Sequence, residues 1–469
     1  MRTRARRVLI VSNGFPPSGQ WGTEFYTHQL ATGLAAGGAR VSVLCPVRGA
    51  ERPRYHLARS RRYGIDLFEL TNAGDPRKAF DDSYRDAEVE RIFGALLDEL
   101  RPDVVHFTHL LWGLSTRLPI VARRRGAPNV VTVTDFGLLC HRGQLLDWRM
   151  RACGGPAATT CARCVREPGP WDDPAWRATL KRWTVRAAAA CGGLGRVVTP
   201  ADIEARERCV AECIRAVDHW IMPTRALGER FLGLGLPAEA VSYLTYGLDE
   251  GTFRLPRPAR NGSGARFVYM SQFMPHKGLA CLLDAVRLLE GRLPESLEPW
   301  RVHLHGNGSL GRHRLYAREL VERGLPRRAR LLGPFEPLRA PEVLSRTDAV
   351  IVPSEWTENA PLTVLQARAA GVPVLAADVP GVREVLEPGV HGTLFPPGDA
   401  RALADAMGAV ILGRGPRPRE PRPAVSWREH LDAVRGVHRL VASELRPRPA
   451  PVPAAHGSEA TVALARGGS

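Results

Sequence analysis

The sequence predicts an α/β protein made of two Rossmann-like, doubly wound domains that face each other across a cleft. Three observations predict it. Short apolar runs of strand length alternate with helix-period segments along most of the chain. The strands end in Gly, Pro, Asn or Asp, and the alternation starts afresh near residue 265, after the polar stretch RPARNGSGA. At 469 residues the chain also exceeds one ordinary core, so two or three domains follow from size.

Taken in order, RRVLIVSNG is the first buried strand. The Gly- and Pro-rich loop FPPSGQWG follows, then TEFYTHQLATGLAAGG, whose apolar residues recur at helical spacing and stop at Gly-Gly. RVSVLCP completes a βαβ unit, whose loop lies at the carboxyl end of strand one, where open parallel sheets hold ligands. PDVVHFTH and APNVVTVTD are two more buried strands, and VDHWIMPT and AVSYLTYG close a first domain over residues 1–250. The second domain, 251–412, opens on the strand RFVYMSQF and the amphipathic helix KGLACLLDAVRLLEG. WRVHLHGNG, ARLLGPF, DAVIVPS, VPVLAAD and GTLFPPG are its further strands. Residues 413–445 form a Pro/Arg linker and a helix expected to cross back over the domains. The Pro-, Ala- and Gly-rich tail 446–469 is expected to be disordered.

Composition narrows the functional classes. The net charge is +17, mostly from Arg, which suits phosphorylated ligands or anionic headgroups. A nucleic-acid motif is lacking, so no nucleic-acid partner is expected. The basic start MRTRARR leads into an apolar stretch, VLIV, far shorter than the roughly 7–15 residues of a signal-peptide core. With no apolar run of about 18 residues either, the expectation is a cytoplasmic protein. Its basic face would allow peripheral contact with the inner membrane leaflet, and its nine cysteines should be reduced. A dinucleotide oxidoreductase is disfavoured, because no G-x-G-x-x-G follows either domain's first strand.

FPPSGQWGTE, DVVHFTH, MSQFMPHKG and PSEWTENAPLTVLQARAAGVPVLAADVPGVREVL together resemble retaining glycosyltransferases of GT-B fold, in the GT4-type (group 1) family. The likeness spans roughly residues 7–440 and is strongest from 268 to 405, where several motifs occur in order. It implies a metal-independent transfer of a sugar from a UDP-, GDP- or ADP-sugar to an acceptor, with retention at the anomeric carbon. A glycan, a lipid-linked sugar or a small molecule would fit as acceptor. The family uses no clear protein nucleophile: the leaving phosphate takes the acceptor proton as the new bond forms on the same face. Two other readings share the fold, a nucleotide-sugar epimerase and a non-catalytic nucleotide-sugar- or glycan-binding relic.

The residues suit that chemistry. A departing diphosphate needs positive charge. Pro361 suits a first helical position, and the free amides of Leu362 and Thr363 would then face an anion with the helix dipole behind them. By resemblance Lys277 is the phosphate cation, and Glu358 is the first carboxylate of the E-x7-E motif, which reads donor-sugar hydroxyls. Glu355 is an outer neighbour. Gly22 and Thr23 resemble the Gly-rich loop that meets the phosphates from the other domain, with Asn13 to Pro17 lining the same side.

Three positions depart from the family. Gln272 stands where Arg is common. Thr134 stands at the usual place of a sugar-contacting His, with His106 and His109 near in sequence. Gln366 replaces the second Glu of E-x7-E. An amide still pairs with a ribose diol but loses charge assistance, about 1–2 kcal/mol when desolvated. Finally, Cys140, Cys153, Cys161 and Cys164 cluster within an insert, 140–164, that a subset of the family shares. Four thiolates would make a closed structural zinc site; separate thiols and a disulfide are the alternatives. Cys45, Cys191, Cys209, Cys213 and Cys281 read as core residues.

Overall fold

β-branched runs become strands here wherever helices cover both of their faces. The computed structural model describes residues 6–17, 19, 22–47, 52–72, 80–172, 177, 180, 183, 197–256, 264–294, 299–306, 314–334, 337–417 and 421–443. The tail 446–469 and Cys191 lie outside the described residues. The N-terminal sheet contains β1 (Arg7–Val11), β2 (Arg40–Val47), β3 (Leu57–Arg62), β4 (Ile65–Thr71), β5 (Val104–Phe107), β6 (Asn129–Thr132), β7 (His219–Met222) and β8 (Val241–Tyr243). Their spatial order is β3-β4-β2-β1-β5-β6-β7-β8. The C-terminal sheet holds β9 (Arg266–Met270), β10 (Arg301–His305), β11 (Ala329–Gly333), β12 (Ala349–Val352), β13 (Val374–Ala377) and β14 (Gly392–Phe395), in the order β11-β10-β9-β12-β13-β14. Every pairing is parallel except β3–β4. β5, β6, β7, β12 and β13 are buried throughout, as parallel strands between helical layers must be.

Strand order reverses between β1 and β5 in one sheet and between β9 and β12 in the other. Ligands of open parallel sheets bind in the crevice outside such a switch point. The loops there include residues 12–17, 271–277 and 353–361.

The β3–β4 hairpin lies in a stretch without a readable strand pattern. β3 is LARSRR, an Arg-rich edge strand that discourages pairing with another chain. Its two-residue turn, Tyr63 and Gly64, has φ 53 and 76, the double positive φ that matches strand twist.

The Trp427–Ser443 helix packs on β5, β6 and the Gly22–Ala36 helix. Its buried face carries two histidines. His430 Nε2 lies 3.1 Å from the Tyr26 hydroxyl, and His438 Nε2 lies 2.9 Å from His106 Nδ1. Burial pushes His430 down to about 4 and His438 to about 3, so both sit there neutral. Just before this helix, Ser426 bridges to Leu248. Among the described residues no helix is long and apolar enough to cross a membrane.

Candidate functional site

The C-terminal wall of the cleft is assembled by close backbone approach. Lys277 ends a short turn, Pro275–Lys277, because Gly278 takes φ 69; a Cβ there would fall 1.7 Å from the Pro353 carbonyl oxygen. That approach lays Lys277 against the loop after β12. Lys277 Nζ meets Glu358 Oε1 at 2.7 Å, and Ser354 Oγ donates to the same oxygen at 2.5 Å. The Lys277 ammonium also stands 4.9 Å from the centroid of the Trp356 ring. Burial would push the Glu358 carboxyl up. Lys277, Ser354 and Trp356 more than offset this and hold it below the ordinary carboxylate range. The pair is therefore charged, with the Glu358 side chain 8% exposed and that of Lys277 20%.

Beside it the Leu362–Ala369 helix begins. Pro361 is its cap rather than its first helical residue, since ψ of 111° keeps it extended. The Pro361 carbonyl accepts the Val364 and Leu365 amides at 3.0 and 3.2 Å. The Leu362 and Thr363 amides are left without a backbone partner among the described residues, as at every helix start. Thr363 Oγ1 ties this start to the Met270 carbonyl at the end of β9.

From the other wall, the Gly22–Ala36 helix brings its own N-terminus to the same place. A Cβ on Gly22 would lie 3.3 Å from Leu362 Cδ1, so the two helix starts face each other across the closed cleft. The two N-termini thus lie near enough for their free amides to act on one anion. Glu24 in the first turn is buried and bonds Asn13 Nδ2 at 3.2 Å, which fixes the loop that follows β1. Asn359 Nδ2 completes the contact between walls, reaching the Val133 carbonyl at 3.3 Å and the Tyr246 hydroxyl at 3.4 Å.

The remaining sequence-derived candidates are dispersed. Gln272 is half-buried in the loop after β9, its carbonyl accepting from the Tyr269 hydroxyl at 3.0 Å. Gln366 is 3% exposed, and the hydrogen bonds around Glu358 do not include it. Thr134 donates its hydroxyl proton to the Thr108 carbonyl at 2.9 Å, so it has only lone pairs for a ligand. His106 is fully buried, bonding Thr132 Oγ1 at 2.7 Å and His438, which makes it part of the support for the C-terminal helix. His109 instead pairs with Asp135 across 2.9 Å. Asp135, Trp356, Ser354 and Asn359 were not singled out in the sequence; Trp356, two residues before Glu358 in SEWTE, is the one whose position offered a signal.

In the insert, Cys140 and Cys164 are buried and Cys153 and Cys161 half-buried, all as free thiols. Cys161 Sγ accepts the Ala157 amide at 3.4 Å, and Cys153 Sγ lies 3.5 Å from the Gly155 carbonyl. Among the described residues no group of three or more His, Cys, Asp or Glu is placed to hold a metal ion. Cys45, Cys209, Cys213 and Cys281 are buried.

Comparison with known proteins agrees with this geometry. Residues 264–412 match the glycosyl transferases group 1 family, and residues 22–206 match the glycosyl transferase 4-like domain. The lipopolysaccharide 1,6-galactosyltransferase of Salmonella typhimurium is 26% identical over 211 residues, 43% of this chain and 55% of that protein. The phosphatidyl-myo-inositol mannosyltransferase of Mycobacterium leprae is 34% identical over 137 residues, 29% of this chain and 34% of that protein. The chain thus spans about half or less of the length of these curated relatives. Among solved structures, Anabaena HepE in complex with UDP and glucose superposes with a TM-score of 0.57 at 16% identity, over 93% of this chain and 98% of that one. Sucrose-phosphate synthase of Thermosynechococcus elongatus does so with a TM-score of 0.58 at 16% identity, over 94% and 97%. The fold is GT-B.

Proposed function

Given a chain that matches glycosyl transferases group 1 over 264–412 and a glycosyl transferase 4-like domain over 22–206, we propose that it moves a sugar from a nucleoside-diphosphate sugar to an acceptor hydroxyl, with retention and without a divalent cation. One observation carries this reading: two helix N-termini meet across the cleft beside Lys277. Together they supply the positive field that a diphosphate needs as it departs. In the resting state Lys277 and Glu358 satisfy each other. On binding, the donor diphosphate takes the ammonium, which frees the Glu358 carboxylate to accept hydrogen bonds from sugar hydroxyls. The acceptor oxygen then bonds to the anomeric carbon on the face that the diphosphate leaves, and a diphosphate oxygen takes the acceptor proton. The chain's own groups orient and stabilise, with no covalent step of their own.

UDP- and ADP-sugars are the donors to try first, because structures of this fold hold UDP and, in Arabidopsis starch synthase IV, ADP. The test is a donor panel read by thermal shift, then by release of nucleoside diphosphate with EDTA present. Binding of one donor class and EDTA-resistant release support the reading; silence across UDP-, GDP- and ADP-sugars ends it. For the insert we infer a structural part only, since four thiolates on zinc would leave no open position. Zinc content of the purified protein distinguishes a metal staple from four thiols.

A further inference from the structure

The N-terminal wall carries a constellation that the donor-binding elements leave unused. Asp135 follows the β6 strand. Its Oδ2 lies 2.9 Å from His109 Nε2, and its Oδ1 accepts the Gly137 amide at 2.8 Å. The His109 side chain is 4% exposed and that of Asp135 31%, so the carboxylate is gripped from behind and open in front. Burial lowers and Asp135 raises the His109 pKa, with the raising effect dominant, and the same contact holds the Asp135 carboxyl below its ordinary range.

Trp112 stands near the carboxylate, on the other side of Gly143. It is 43% exposed and held at φ 60, a left-handed conformation in which a bulky side chain is strained. Such strain collects where a side chain must be aimed. A Cβ added to Gly143 would sit 3.3 Å from Trp112 Cζ2 and 3.7 Å from Asp135 Oδ2, so ring and carboxylate border one recess. The residues that flank it touch the facing wall. Phe136, the next residue, packs edge-on to Trp356 at 5.8 Å, and Gln144 reaches the Met274 sulfur across the cleft at 3.9 Å.

We propose that Trp112 and Asp135 form the acceptor subsite and that it selects an uncharged saccharide over a phosphorylated acceptor. The proposal rests on the transferase reading above. A half-exposed indole gives the C–H face of a sugar ring an apolar platform, and its amphipathic edge tolerates water. The carboxylate accepts hydrogen bonds from hydroxyls and repels phosphate. On this wall the buried Arg206 guanidinium is committed to the Gly137 and Leu138 carbonyls, and on the facing loop Lys277 is committed to Glu358.

The experiment uses the full chain, with and without UDP. Saturation-transfer NMR is recorded with methyl glucoside, galactoside and mannoside, and with glucose, galactose and mannose 6-phosphates. At least one neutral glycoside should bind, and its 6-phosphate counterpart at least tenfold more weakly. Trp112→Ala should weaken the neutral glycoside tenfold or more while donor affinity stays within twofold, and Trp112→Phe should restore most of the loss. Asp135→Asn should narrow the gap between neutral and phosphorylated ligands. Stronger binding of the phosphates, unchanged glycoside binding in Trp112→Ala, or no neutral glycoside bound at all would overturn the proposal. Should Trp112→Ala not fold, Trp112→Leu, which keeps bulk but removes the ring face, gives the same reading. A protein that binds donor but no neutral glycoside fails only this inference; one that binds no nucleotide sugar fails the transferase reading.

Discussion

The two walls of the cleft treat charge in opposite ways. On the C-terminal wall a cation, Lys277, stands beside a helix start, and its acidic partner Glu358 is held ionised until something else takes the lysine. On the N-terminal wall the more exposed group is a carboxylate, Asp135, with His109 buried behind it. On the readings proposed above, one wall receives negative charge and the other refuses it and accepts hydroxyls. A transferase needs this asymmetry. The donor brings a diphosphate that must be gripped, whereas the acceptor must bring a hydroxyl without competing for the phosphate site.

The largest expected effect breaks the first wall. Lys277→Met removes the cation, strands a buried Glu358, and should lower kcat/KM for donor by about 10²–10³-fold in steady-state kinetics. A loss below threefold would place the phosphate grip elsewhere. Acid should separate the walls next. His430 and His438 are neutral in the fold and have depressed values, so the unfolded chain binds more protons below its ordinary histidine pKa of about 6.5. Stability therefore falls with pH from about 6.5 downward, by roughly 3 kcal/mol for each histidine at pH 4. Denaturant titration of His430→Asn and His438→Asn should show a flatter acid limb than the wild-type chain.

A smaller change wedges the walls apart. Gly22→Val places branched carbons against Leu362 Cδ1, and donor KM should rise by about tenfold with the melting temperature little changed. The smallest sharpens the donor side alone. Gln366→Glu restores charge toward a ribose, and donor KM should shift about three- to tenfold while kcat stays within twofold. A change in kcat alone would remove Gln366 from the ribose contact. Its 3% exposure makes this the more searching test.

The candidates of the C-terminal wall were easier to name because they are contiguous: Glu358, Leu362 and Thr363 lie within one loop and the helix it starts, and Lys277 follows its own strand directly. The strands were legible for a similar reason, since burial on both faces writes an apolar run. The N-terminal wall was not. Asp135 acquires its meaning from His109, 26 residues earlier, and from Trp112, whose left-handed backbone leaves no trace in the sequence. The β3 strand escaped because its Arg and Ser side chains face water on an edge, where no apolar pattern is required. Pro361 was displaced by one residue because a proline serves equally before or within a first turn, and only ψ tells the two apart.

The chain passes between the domains twice, once after Leu248 and once before Trp427. The Leu248–Ser426 bridge, with the Trp427 amide donating to the Leu248 carbonyl at 3.0 Å, lays these crossings side by side. A door on one pin swivels freely, whereas a door on two adjacent pins keeps one axis. Two adjacent crossings favour a hinge with one axis, along which Gly22 would part from Leu362 and return to it. Cutting the chain before Ser426 would remove one pin, and the two walls would be held in register by the remaining crossing and by the packing of the Trp427–Ser443 helix.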